Sequence, residues 1–338
     1  MSAQDTATRD YVNEADIFAD AFNYLIYNGE QVVDAKALQA LDTSLLLSIF
    51  GNEENEEPED KEDEKTAAET AAPKKNRKKK KKPNEAIQRY RDAVKTASIK
   101  YDDHFAYIIL GIEAQTHIHY AMPVRNLVYD GLQYAAQVEQ FRIKHKLSGD
   151  KGVTDEFLSG LYHGDRLLPV ITLVIYFGSK PWDGALSLRE LLEIPDERAL
   201  PFVQDYKVFL IEPAKMTDED FDKFSTNLGK VLKFMQRSAD KKKMDALLAA
   251  DDAFKDLDRK AAMVIKNCAN INVDLIGEDG ADMCKAWEDA QRDAAILATV
   301  NMGRRHNIPD EQIKQDIMEM YHLSETEARK NMTDTNTQ

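Results

Sequence analysis

Apolar residues recur at helical spacing from about Asn13 to Tyr27, where Ile17, Phe18, Phe22, Leu25 and Ile26 share a face. Asn28-Gly29 supplies the stop. Ala37–Leu41 reads as a short helical or turn segment, and the run Leu45–Phe50 as a short strand. Further on, the period changes. Tyr90–Ile99 and Phe105–Gln115 read as two strands, and the polar Tyr101-Asp102-Asp103-His104 between them predicts a hairpin. FAYIILGIEAQ is apolar on both faces for most of its length, which marks a central strand. A helix follows to about Lys144, with Pro123 in its first turn. Val124, Leu127, Val128, Gly131, Leu132, Ala135 and Val138 line one of its faces, the one expected to be buried. Leu168–Phe177 is another buried strand, and Lys207–Ile211 a shorter one.

From about Thr217 the pattern is helical only. Phe221, Phe224, Leu228, Val231, Leu232 and Met235 share a face. Met244–Ile265 and Asp282–Thr299 are further helical regions, and Pro309–Met332 reads as two short helices. Ser324 and Glu327 form a capping-box pair before the last of these. Strands set between helices, followed by helices alone, predict an α/β core with an all-helical C-terminal region.

The segment 53–83 breaks this pattern. It has no aromatic and no branched aliphatic residue, so it cannot bury enough surface to offset the entropy of ordering. It is expected to be a disordered insertion, acidic in its first half and lysine-rich in its second. The two halves cancel in charge. The basic part (Lys74, Lys75, Arg77 and Lys78 to Lys82) is either a solvated loop or an arm that touches phosphates. Five stretches result: 1–52 with the first helix and first strand, the insertion 53–83, the remainder of the core at 84–211, a helical region at 212–300, and a small helical segment at 301–338.

Composition narrows the function classes. With 338 residues and 43% hydrophobic residues the chain can build a real core. Its net charge of -15 argues against a protein that grips nucleic acid with its whole surface. Two cysteines, Cys268 and Cys284, exclude a disulfide framework or a four-cysteine zinc site. The longest apolar runs fall short of the roughly 20 residues of a membrane helix. The opening residues carry no basic start followed by an apolar stretch, so a cytoplasmic protein is expected.

The candidate chemistry sits around the central strand. Glu113 follows an apolar run, where a carboxylate is costly unless it is paired or bound to a metal. A hairpin can bring Asp92 across from it. Two facing carboxylates repel, and a divalent cation between them is the natural resolution. Arg125 and Tyr129, one turn apart on the next helix, flank its apolar face and could reach a phosphate; helix-surface packing explains them equally well. His117 and His119 alone are too few ligands for zinc.

The segment GIEAQTHIHYAMPVRNLVYDGLQYA resembles the core of the recombination-promoting nuclease and transposase-like family, within the PD-(D/E)XK nuclease superfamily. RYRDAVK, LPVITLVIYFGSKPWDG and FADAFNYLIYNGEQVVD resemble its flanking motifs. The likeness spans roughly 13–52 and 84–211. It implies a restriction-endonuclease-like αβββαβ core and a Mg²⁺-dependent DNA endonuclease tied to recombination or mobile elements. Asp92 and Glu113 would then be metal ligands, with the backbone carbonyl of Ala114, and Gln115 would stand at the superfamily's lysine position. Glutamine cannot act as a cation, but it can orient water or a phosphate oxygen. The first-helix acid of such folds would be Glu14 or Asp20. DNA is the implied partner, and a homodimer is an expectation because cutting both strands often takes two active sites. A quieter alternative is a nuclease fold that binds nucleic acid or a partner without cutting, which Gln115 and the acidic charge favour.

Overall fold

The computed structural model describes residues 2–41, 92–101, 104–150, 152–194, 196–271 and 280–334. The readings made for Leu45–Phe50, for 53–83 and for Tyr90 lie outside these residues.

Two helices open the chain, where the apolar pattern showed one. Ser2 and Asp5 form a capping box that starts α1 (Ala3–Val12). The chain breaks at Asn13-Glu14 and continues as α2 (Ala15–Tyr27). The first helix escapes periodicity because it buries little beyond Thr8, Tyr11 and Val12. The second buries Ile17, Phe18 and Phe22 and ends on Asn28, whose φ of 53° is the left-handed conformation that terminates helices.

A five-stranded mixed sheet follows, in the order β1-β2-β3-β4-β5. The segment Ala37–Leu41 differs from its expected helical turn. A 3-10 turn over Ala35–Ala37 hands on to β1 (Gln39–Ala40), because Gln39 and Ala40 find backbone partners in Thr96 and Lys95. The hairpin is present: β2 (Ala93–Tyr101) pairs antiparallel with β3 (His104–Gln115), from Tyr101 opposite His104 to Ala93 opposite Ile112. The central position of β3 also holds. Its other edge pairs parallel with β4 (Val170–Tyr176), which pairs parallel with β5 (Phe209–Ile211).

The sheet divides the residues of β3 and β4 between two sides. Leu110, Ile112, Leu173, Ile175 and Phe177 join the main core with Phe18, Phe22, Val231 and Leu232. Val174 and Tyr176 turn to a smaller cluster with Met122, Trp182 and Val208. Over this second side lies α3 (Met122–Ser148), joined to β4 by the short α4 (Thr154–Ser159) and its loops.

The helix α3 overturns the expected face. It buries Asn126, Tyr129, Asp130, Gln133, Ala136 and Gln137, while Val124, Leu127 and Val128 remain exposed. The inward residues are held by hydrogen bonds. Thr172 Oγ1 donates to Asp130 Oδ1 at 2.5 Å, and the Tyr206 hydroxyl donates to Asp130 Oδ2. Gln137 clasps the backbone of Leu168, accepting its N–H at 2.6 Å and donating to its carbonyl at 3.1 Å. Buried polar groups are tolerated where they are bonded in this way.

Among the described residues the C-terminal region is helical apart from one small exception. Its helices are α5 (Asp218–Phe221), α6 (Leu228–Arg237), α7 (Lys241–Ala250), α8 (Arg259–Ala269), α9 (Met283–Arg305), α10 (Asp310–Tyr321) and α11 (Glu325–Asp334). The helical region expected over Met244–Ile265 is broken in two, because Asp251 and Asp258 turn their carboxylates onto following N–H groups. A two-stranded ladder, β6 (Leu257–Asp258) with β7 (Gly280–Ala281), lies at that break. The Ser324–Glu327 box forms as expected. Residues from α5 to the start of α9 share the main core with the sheet; Ile296, Val300, Ile313, Ile317, Ala328 and Met332 form a separate small cluster. No described helix is long and apolar enough to cross a membrane.

Candidate active site

The site is built where β3 ends. Ala93 stands opposite Ile112, so Asp92, one residue beyond, comes beside Glu113 on the same side of the sheet. The tertiary structure fixes Asp92 further. Its Oδ2 accepts the Ala114 N–H at 2.8 Å, and its backbone carbonyl accepts from Asn13 Nδ2 at 2.7 Å. The carboxylate that the resemblance places in the motif is therefore tied to the strand that carries its partner.

Glu113 is 0% exposed. A buried carboxylate needs a counter-charge, and Arg125 Nη2 lies 2.8 Å from its Oε2. The guanidinium is aimed by Tyr129, whose hydroxyl accepts from Arg125 Nε at 3.0 Å and whose ring lies 5.6 Å away. Tyr129 is itself buried. The two residues read as phosphate-facing thus meet the carboxylates, and Tyr129 acts by holding Arg125.

The electrostatics follow from this crowding. Burial lifts the Asp92 carboxyl above its ordinary value; the Ala114 N–H, Arg125 and Arg9 pull the other way without cancelling it. Burial lowers Arg125, but Glu113, Tyr129 and Asp92 outweigh that and hold the guanidinium above its ordinary range. Burial, together with the charge of Arg125, lowers His119. The His119 Nδ1 is buried and has no hydrogen-bond partner among the described residues.

Neither first-helix candidate joins this group. Glu14 pairs with Lys260. Asp20 is buried and accepts from the backbone and hydroxyl groups of Ser225 and Thr226. The N-terminal groups that bear on Asp92 are Asp5 and Arg9 of α1. Asp5 Oδ1 also accepts from Thr116 Oγ1 at 3.3 Å, just beyond β3. Sequence reading missed Asp5; the one local signal was its three-residue spacing from Ser2 at a helix start. Gln115 is half-buried, and its carbonyl accepts from Phe177 N at 2.8 Å, which continues the β3–β4 ladder past the site.

Among the described residues no group of three or more His, Cys, Asp or Glu stands together as a metal cage. Two hard carboxylates on one side of a sheet do suit Mg²⁺, which keeps several waters and is commonly held by one or two carboxylates together with substrate phosphates. Arg125 supplies positive charge at the same place. Two acids, a fixed cation and a glutamine could bind a phosphodiester and stabilise charge on it. Compared with known proteins, the chain matches no family profile, no curated protein and no solved structure.

Proposed function

We propose that the chain is a Mg²⁺-dependent DNA endonuclease with a restriction-endonuclease-like core, acting in recombination or on mobile elements. The observation that carries this reading is the meeting of Asp92 and Glu113 on one side of the sheet at the end of β3, with Arg125 against them. The sheet's antiparallel-then-parallel order, with a helix between β3 and β4, also accords with the αβββαβ arrangement. Asp92, Glu113 and the Ala114 carbonyl would hold Mg²⁺, which when bound would polarise a water and offset charge on the phosphate. Arg125, already beside the carboxylates, would bring its positive charge to a phosphate oxygen. Gln115 offers a donor and an acceptor to orient water. The N–H of Ala114 holds Asp92 in place.

The test is nicking of supercoiled plasmid by the purified chain. Mg²⁺ should support nicking and chelator should stop it. Glu113→Gln should lower the rate by on the order of a hundredfold or more, the scale of removing one group that stabilises transition-state charge. Equal nicking by the parent and this variant would end the assignment.

A second reading has its own observation. Glu113 is neutralised by Arg125, and glutamine stands where lysine is usual in the resembling family. Both favour a nuclease fold that binds nucleic acid or a partner without cutting. Calorimetry separates the readings: Mg²⁺ binding that Asp92→Asn weakens supports the first, and DNA binding with no Mg²⁺ uptake supports the second.

A further inference from the structure

A cavity of ≈ 450 Å³ opens where the parallel strands β3 and β4 end. That is within the range of small-ligand sites, and the carboxyl ends of parallel strands are where open α/β sheets bind ligands. Thr116, His117, Tyr120, Tyr176, Ser179 and Lys180 line it. Thr116 lies three residues past Glu113, about 10 Å at the rise of a strand. That distance is a few base steps along one strand of DNA at about 3.4 Å each.

The wall carrying Lys180 is fixed. A Cβ at Gly178 would lie 2.1 Å from the Tyr176 ring, so only glycine lets the chain cross that ring. Tyr176 in turn packs edge-on against Trp182, with centroids 5.3 Å apart. Trp182 anchors the loop twice: its backbone N–H donates to Glu212 Oε1 at 2.8 Å and its indole N–H to the Gly184 carbonyl at 2.9 Å. The loop is thus held in shape before any ligand arrives, which lowers the ordering cost of binding.

Lys180 stands exposed at the cavity and brings a positive charge to it in a protein with 60 acidic against 45 basic residues. Tyr120 is 62% exposed at the rim, with its hydroxyl 3.4 Å from Asp183 Oδ2. An exposed ammonium, a serine hydroxyl and an exposed aromatic ring around one cavity match a nucleotide: phosphate for the first two, base for the third.

We infer that this cavity is a subsite for one nucleotide of a DNA strand, taking its phosphate on Lys180 and Ser179 and its base against Tyr120. The inference rests on the nuclease reading, because it assumes that a strand passes Asp92 and Glu113. It adds the place where that strand is gripped on leaving them.

The experiment is fluorescence anisotropy of a labelled oligothymidylate with the full chain, over a series of salt concentrations and with chelator present, beside the plasmid assay with Mg²⁺. The expected result is binding by the parent. Lys180→Gln should bind about tenfold more weakly, with a log–log salt slope shallower by about 0.7, the loss of one phosphate contact on single-stranded DNA. Lys180→Arg should restore the parent's affinity and slope. Tyr120→Ala should weaken binding and leave the slope unchanged, because stacking releases no counterions. If the parent binds and nicks but Lys180→Gln keeps its affinity and slope, the subsite is wrong and the nuclease reading stands. If the parent neither binds nor nicks, both fall.

Discussion

The helix α3, packed on β4, and the helix α6, packed in the main core against α2 and α8, are held in place by opposite means. α6 buries Leu228, Val231, Leu232, Phe234 and Met235. α3 buries Asn126, Asp130, Gln133 and Gln137, and leaves Val124, Leu127 and Val128 outside. Apolar burial is non-directional, so α6 is fixed by how much surface it covers. Hydrogen bonds have geometry, so α3 is fixed in register by Asp130 on Thr172 and Tyr206 and by Gln137 on Leu168. That register sets Arg125 against Glu113. The helix that serves the site is thus positioned by directional contacts, and the helix that serves the core by area.

Mutations can break this contrast. Phe234→Ala removes a fully buried ring packed near Phe254 and Trp287 and should cost about 3–5 kcal/mol by chemical denaturation. Asp130→Ala leaves Thr172 and Tyr206 without their acceptor and should cost about 1–3 kcal/mol. It should also lower plasmid nicking by more than that loss of folded protein explains, because Arg125 is carried on the same helix. If Asp130→Ala unfolds the chain but leaves the rate per folded molecule unchanged, directional positioning is not what α3 contributes. Val128→Gln, on the outward apolar stripe, should shift stability by no more than about 0.5 kcal/mol. A large loss there would mean that the stripe is covered in solution, and sedimentation would then show by what.

Much of the fold is legible in the sequence. β3 and β4 announced themselves as unbroken apolar runs, because a strand buried on both faces has little polar alternation. The α6 face and the Ser324–Glu327 cap were equally plain. Of the site, the pairing of Asp92 with Glu113 followed from the hairpin. The counter-ion did not. Arg125 could be seen beside an apolar helical face, but the structure turns that face outward and the neighbouring polar one inward. Glu14 and Asp20 were the first-helix candidates; the acid whose charge bears on Asp92 is Asp5, on a helix the apolar pattern did not show.

The division has a physical cause. Burying apolar area leaves a period in the chain, because each element must turn one side to the core whatever its neighbour is. The sequence therefore determined the mixed α/β class, the central strand and the helical C-terminal region. A hydrogen bond or ion pair leaves no period, because its partner can stand anywhere along the chain. Asp130 meets Thr172 from 42 residues away, and Asp92 meets the Ala114 N–H across 22. Only the tertiary structure decided which side of α3 faces the sheet, which cation sits on Glu113, and that a cavity with an exposed lysine opens beyond it.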